Sequence, residues 1–167
     1  MVLTKSELID ALQNEVRILQ HLITKIEPSM LDYRPTATQR STIELLKYLA
    51  VMGPALVHSA LAGTFDEADW GARQAEADKK DFAGTVATLA AQSDQYVATL
   101  SNVPDAAFRA EVVMFGTKYT VGSFLVALAL GGCAAYRTQI FCYLKACGLS
   151  ELGTMNLWAG MDAPPAA

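Results

Sequence analysis

Between Thr4 and Pro28, apolar residues recur at Ile9, Leu12, Val16, Leu19, Ile23 and Ile26, at alternating intervals of three and four. Only an α-helix brings such positions onto one line, and a narrow apolar line has to be covered by other helices. Thr4 followed by Glu7 is a capping-box pair that starts this helix, and Pro28 closes it. The pattern predicts a long helix facing the seam of a bundle.

The pattern repeats. Ser41 and Glu44 form a second capping box, followed by Leu45, Leu49, Met52, Leu56 and Ala60 on one face, with Pro54 inside the helix and Gly63 at its end. Proline removes a backbone donor, so a kink is expected near Gly53. Residues 64–80 are polar and acidic around Trp70 and read as a surface loop. A third helix is expected from Asp81 to Leu100, with Phe82, Val86, Leu89, Tyr96, Val97 and Leu100 inward and Ser93 in the same stripe. Two β-prone runs around Gly116-Thr117 predict a short hairpin. A fourth helix then runs to Cys147 with Gly148 as its cap, and a weak turn at Asn156-Leu157-Trp158 follows. The expected fold class is all-α, a four-helix bundle over residues 1–160, with residues 161–167 a disordered tail.

Several functions conflict with these features. A net charge of −4 without like-charge runs gives nucleic acid nothing to bind. Cys133, Cys142 and Cys147 lack metal-motif or disulfide spacing and read as small residues in a reducing, cytoplasmic setting. The start carries no basic, then apolar, leader pattern. The uncharged stretch from Tyr119 to Tyr136 is close to the minimum for a membrane span, but Thr120, Ser123 and three glycines interrupt it, and no membrane association is expected.

The fourth helix is apolar nearly all round. Leu125, Leu128, Gly132, Tyr136, Gln139, Ile140 and Tyr143 take one face. Ala127, Gly131, Ala134, Ala135 and Thr138 form an arc of small residues. A helix with no polar face is buried on more than one side. The arc points to a homodimer through this helix, although a helix central within the monomer would carry the same pattern.

Arg34-Pro35 followed by Ser41-Thr42-Ile43-Glu44-Leu45-Leu46-Lys47-Tyr48-Leu49-Ala50 resembles the start of the second helix of DinB-like proteins. Gly132-Cys133-Ala134-Ala135-Tyr136-Arg137-Thr138-Gln139-Ile140, then Tyr143-Leu144-Lys145 and Gly148, resembles their fourth-helix signature. The resemblance covers about residues 5 to 150. It implies an up-down-down-up four-helix bundle with a short β-hairpin before the fourth helix, often dimeric. Many members hold a divalent metal on three histidines, one on the second helix and a pair four apart on the fourth, and characterised relatives are thiol-dependent transferases and isomerases. Here the corresponding positions are Tyr48, Gly132 and Tyr136. Neutral phenols are poor zinc or nickel ligands and glycine offers none, so no metal and no cofactor is expected.

His21 and His58 both fall away from the apolar stripes and read as solvent-facing. The expected site is a pocket at the former metal positions, formed by Tyr48, Met52, Gly132, Tyr136 and Gln139 with Arg137 beside it. Its expected occupant is a small organic ligand in a binding, structural or stress-related domain without metal chemistry. Two alternatives stay open. One is a thiol-dependent transferase or metal-dependent hydrolase, with His58 recruiting the ion; the other is a protein-interaction module.

Overall fold

The computed structural model describes residues 3–164. Five helices and one hairpin account for most of them. α1 (Lys5–Ile23) starts from the Thr4–Glu7 capping box and buries Ile9, Leu12, Val16, Leu19 and Ile23. Ile26 is buried just beyond its end, and Pro28 opens a short 3₁₀ turn, Pro28–Met30. α2 (Thr42–Ala62) starts from the Ser41–Glu44 box and ends at Gly63, whose φ of 76° is the left-handed conformation that suits glycine. The described chain forms an all-α bundle: α1 packs on α4 (Phe82–Leu100) and on the long last helix α5 (Val121–Ala146), and α2 packs on the same two. α1 and α2 are therefore the diagonal pair.

Residues 64–80 are not a loop. They hold α3 (Glu67–Asp78), capped by Asp66 accepting from the amides of Ala68 and Asp69, and braced by an Arg73–Asp69 ion pair at 2.7 Å. Its apolar content is mostly alanine, so a search for large apolar residues misses it, although alanine is the best helix former. α3 covers Val51 and Ala55 on the far side of α2. That is why α2 is buried beyond the Leu45–Leu56 line.

α2 continues through Pro54. A proline at 54 cannot donate to the Ala50 carbonyl four residues back. The Gln92 amide of α4 meets the need, donating to Leu49 O at 2.9 Å and Ala50 O at 3.1 Å. α4 accordingly turns a partly polar line inward: Thr85, Leu89, Gln92, Tyr96 and Leu100 are buried, whereas Val97, expected inward, is 38% exposed. Hydropathy alone cannot foresee a glutamine recruited to repair a proline. One residue along from Pro54, Gly53 lies against Tyr96; a Cβ there would stand 2.0 Å from the Tyr96 hydroxyl.

The hairpin pairs β1 (Glu111–Met114) with β2 (Thr117–Thr120) antiparallel, Met114 opposite Thr117. Its turn is Phe115-Gly116, one residue earlier than the expected Gly116-Thr117, with φ of 51° and 75°. α5 follows without a break, but Leu125–Leu130 is π-helical. A π segment takes up an extra residue and rotates everything after it relative to an ideal helix. The buried line is thus Leu125, Ala129, Cys133, Arg137, Ile140 and Leu144, and Val126 is 41% exposed.

The expected position of Arg137 beside a pocket is corrected: one residue past Tyr136, it is turned by about 100° around the helix, away from the cavity and toward α1. Arg137 is 3% exposed; its Nε donates to Glu15 of α1 at 2.6 Å and its Nη1 donates to the Leu157 carbonyl. A π-helical turn, Met155–Ala159, carries that carbonyl, so Arg137 ties the C-terminal segment to α1 and α5. The same segment covers His21, expected to face solvent: Asn156 Nδ2 is 3.0 Å from His21 Nε2, and Asp162 accepts from Lys25 at 2.7 Å. Burial foremost holds the His21 pKa below its ordinary value. His58 is exposed, as expected. Asp162 lies within the stretch 161–167 expected to be disordered; residues 165–167 lie outside the described residues.

By length and composition, α2 and α5 could each cross a membrane; 67% of the apolar window is buried in α2 but only 33% in α5. α2 fits the core helix of a globular domain, and α5 carries the buried Arg137–Glu15 pair midway along the fold.

Gly53→Ala, ordinarily favourable in a helix, is predicted to destabilise the chain by about 1–3 kcal/mol through overpacking. Denaturant unfolding should show Tyr96→Phe, which removes the clashing oxygen, recovering part of that loss; a neutral Gly53→Ala would contradict the packing described.

Candidate functional site

Four elements converge around Tyr48. Its ring meets Tyr136 of α5 edge-on at a centroid distance of 5.0 Å, and Trp70 of α3 at 5.8 Å. Trp70 packs on Phe65 at 5.5 Å, and Phe65 packs on Phe115 of the hairpin turn at 5.1 Å. These five rings, with Met52, Leu56, Leu128 and Gly132, line an open cavity of about 540 Å³. That size lies in the range of small-molecule sites.

The floor is set by a missing side chain. A Cβ at Gly132 would stand 3.1 Å from both the sulfur and the terminal methyl of Met52, so the thioether occupies space that any larger residue would claim. The rim is set by strain. Phe115 is the non-glycine residue with positive φ among those described, a conformation costing an L-residue about 1–2 kcal/mol. Its ring, 62% of the residue being exposed, closes the hairpin side of the cavity. Asparagine followed by glycine would suit this turn better.

Of the expected pocket residues, Tyr48, Met52, Gly132 and Tyr136 do line one cavity. Gln139 does not. Its amide donates to the Tyr143 hydroxyl, which donates to the Arg40 carbonyl at 3.0 Å. This chain anchors the 31–41 connector, and the Arg40 guanidinium lies 4.0 Å above the Tyr48 ring. Arg137 faces α1, as described. Trp70, Phe65 and Phe115 are not in the expected set: the first two fall inside the 64–80 segment that reads as loop, and the third in the hairpin turn.

Burial foremost, then the adjacent Tyr136 hydroxyl, pushes the Tyr48 pKa up to about 12, with Arg40 opposing. Tyr48 is therefore a neutral hydrogen-bond donor near pH 7. Cys133 lies outside the cavity lining, and burial foremost, then Glu15, pushes its thiol up to about 12 as well. It is a poor nucleophile at that value.

The bundle is of the DinB-like kind. A solved structure of the DinB-like protein YjoA from Bacillus subtilis matches with a TM-score of 0.67 over 87% of this chain and 94% of that one, at 18% identity. At that identity the likeness establishes the fold alone. No protein-family model matches the sequence. No curated protein matches it either.

The side chains present do not make the three-histidine metal site that the resemblance implies. Tyr48 holds its proton tightly, glycine has no donor, and Met52 supplies only a soft thioether. Among the described residues no three His, Cys, Asp or Glu side chains form a group able to hold an ion. The cavity's donor set does not fit zinc or nickel.

The raised Tyr48 pKa gives a signed prediction. The unfolded phenol loses its proton near pH 10 while the folded one keeps it to about 12, so this group's contribution is complete below pH 10 and is lost between 10 and 12. Tyr48→Phe should lessen the fall in stability across that window, read by denaturant melts at stepped pH. An unchanged slope would contradict the assignment.

Proposed function

We propose that this chain is a small-molecule-binding bundle that takes an uncharged, largely apolar aromatic compound into the Tyr48 cavity without metal chemistry. The observation carrying this reading is the ring of five aromatic side chains around an open cavity of about 540 Å³ with two phenols facing it. Flat faces and edges favour an aromatic guest. The neutral Tyr48 hydroxyl offers it one hydrogen bond. Arg40 on the outer face of Tyr48 counts against a cationic guest, which aromatic cages otherwise attract. A transferase or hydrolase in this cavity would need a base or an activated nucleophile, and neither Cys133 nor the exposed His58 lines it.

The strain at Phe115 supports the same reading, because outliers held against their preference concentrate where a side chain is needed. With 1-naphthol as probe, calorimetry should give one saturable site, and the methyl carbon signal of Met52 should shift. Tyr48→Phe should weaken binding about five- to tenfold, the scale of one lost hydrogen bond. Phe115→Asn should raise stability by about 1 kcal/mol and still weaken binding. An unmoved Met52 signal, or Phe115→Asn that destabilises the chain without affecting affinity, would overturn the proposal.

A second reading rests on α5, whose mean hydropathy of 1.4 contrasts with 33% burial. We propose, as a rival to an open site, a homodimer along the ridge of Ala127, Gly131, Ala134, Ala135 and Thr138, where small side chains let a second backbone approach; Ala127, Gly131 and Ala135 also line the Tyr48 cavity, which such a dimer would cover. Light scattering should give a dimer at micromolar concentration that Ala134→Glu converts to a folded monomer. A monomeric unmodified chain would refute it.

A further inference from the structure

A second cavity of about 540 Å³ opens on the other flank of the α5 ridge, between the start of α1, the 3₁₀ segment Asp105–Arg109 and the first turns of α5. Of its lining, only Ala127 is shared with the Tyr48 cavity. Its walls are apolar: Leu3 and Leu8 from α1 and its lead-in, Phe108, and Val126 and Leu130 from the π-helical stretch. Leu3 and Val126 are both exposed. The 3₁₀ segment is pressed close to α5, since a Cβ on Gly122 would stand 3.1 Å from the Phe108 carbonyl oxygen.

The charges at this cavity do not cancel. Three charged residues line it: Lys5, Asp105 and Arg109. Lys5 is fully engaged, donating to the Ser101 and Val103 carbonyls at 2.8 and 2.9 Å and standing 3.8 Å from Asp105. Arg109 has no ion pair or side-chain hydrogen bond among the described residues. The hydroxyls of Thr120 and Ser123 are committed to each other in the cap of α5. Arg109, an exposed residue, is therefore the charged group lining this apolar cavity that is left without a protein partner among the described residues.

We infer that this cavity binds an amphipathic monoanion, an apolar chain ending in one carboxylate, with the chain against Leu8, Val126 and Leu130 and the carboxylate on Arg109. The guanidinium fork matches a carboxylate in two parallel hydrogen bonds. Burying the chain removes the exposed apolar surface of Leu3 and Val126 from water. A cation is disfavoured by the net positive charge, and a neutral chain leaves Arg109 unused.

Decanoate and decanol, titrated below their aggregation limits into the full chain, test this by calorimetry and methyl NMR. Decanoate should bind one-to-one and shift the methyl signals of Val126 and Leu130 while leaving Met52 unmoved. Decanol should bind about tenfold more weakly, and Arg109→Gln should bring decanoate down to the same level. Val126→Glu, at an exposed position, should abolish decanoate binding without unfolding the chain. Equal affinity for acid and alcohol would overturn the inference, as would a decanoate-induced shift at Met52, which would put the acid in the Tyr48 cavity. Protection of Val126 in a ligand-free dimer would also overturn it, assigning the groove to a second copy.

Discussion

The Tyr48 cavity depends on how closely α2 and α5 approach where Gly132 leaves room for Met52. Protein interiors transmit small volume changes, so a side chain at 132 would displace the thioether into the cavity floor. The approach also brings the Tyr48 and Tyr136 rings into edge contact, and burial, followed by that neighbour, pushes the Tyr48 pKa up to about 12. Geometry and protonation thus have one origin. Two helices meet at a glycine, and two phenols rather than imidazoles face the resulting space.

Around that contact the bundle is braced by polar groups doing structural tasks. Gln92 satisfies the Ala50 carbonyl that Pro54 leaves open, and Arg137 with Glu15 fastens the C-terminal segment. Losing one partner of a buried ion pair leaves an uncompensated charge, a larger penalty than the pair's own net contribution. These residues explain why hydropathy describes the bundle incompletely. They are polar, yet they belong to its interior.

Much of the fold was legible. The stripes of α1 and α2, their capping boxes, the hairpin and the last helix all follow from spacing and cap chemistry, and DinB-like motifs pointed to the same bundle. Tyr48, Met52, Gly132 and Tyr136 were legible as a cluster for the same reason. Three things were not. α3 is built on alanine, which carries no apolar period. Arg137 directly follows Tyr136 and so reads as a pocket neighbour, but one step along the helix turns it by about 100°, onto Glu15 of α1. The aromatic wall at Phe65, Trp70 and Phe115 comes from segments whose sequence reads as loop and turn, and only tertiary packing assembles it.

The central claim is that the α2–α5 cavity is a site for an organic guest and not for a transition metal. Native mass spectrometry of the purified chain, paired with elemental analysis of the same sample, tests this directly. The account predicts substoichiometric zinc and nickel, with any retained adduct having the mass of a small organic molecule. One equivalent of zinc or nickel per chain, lost on replacing Tyr48 or Tyr136, would contradict it.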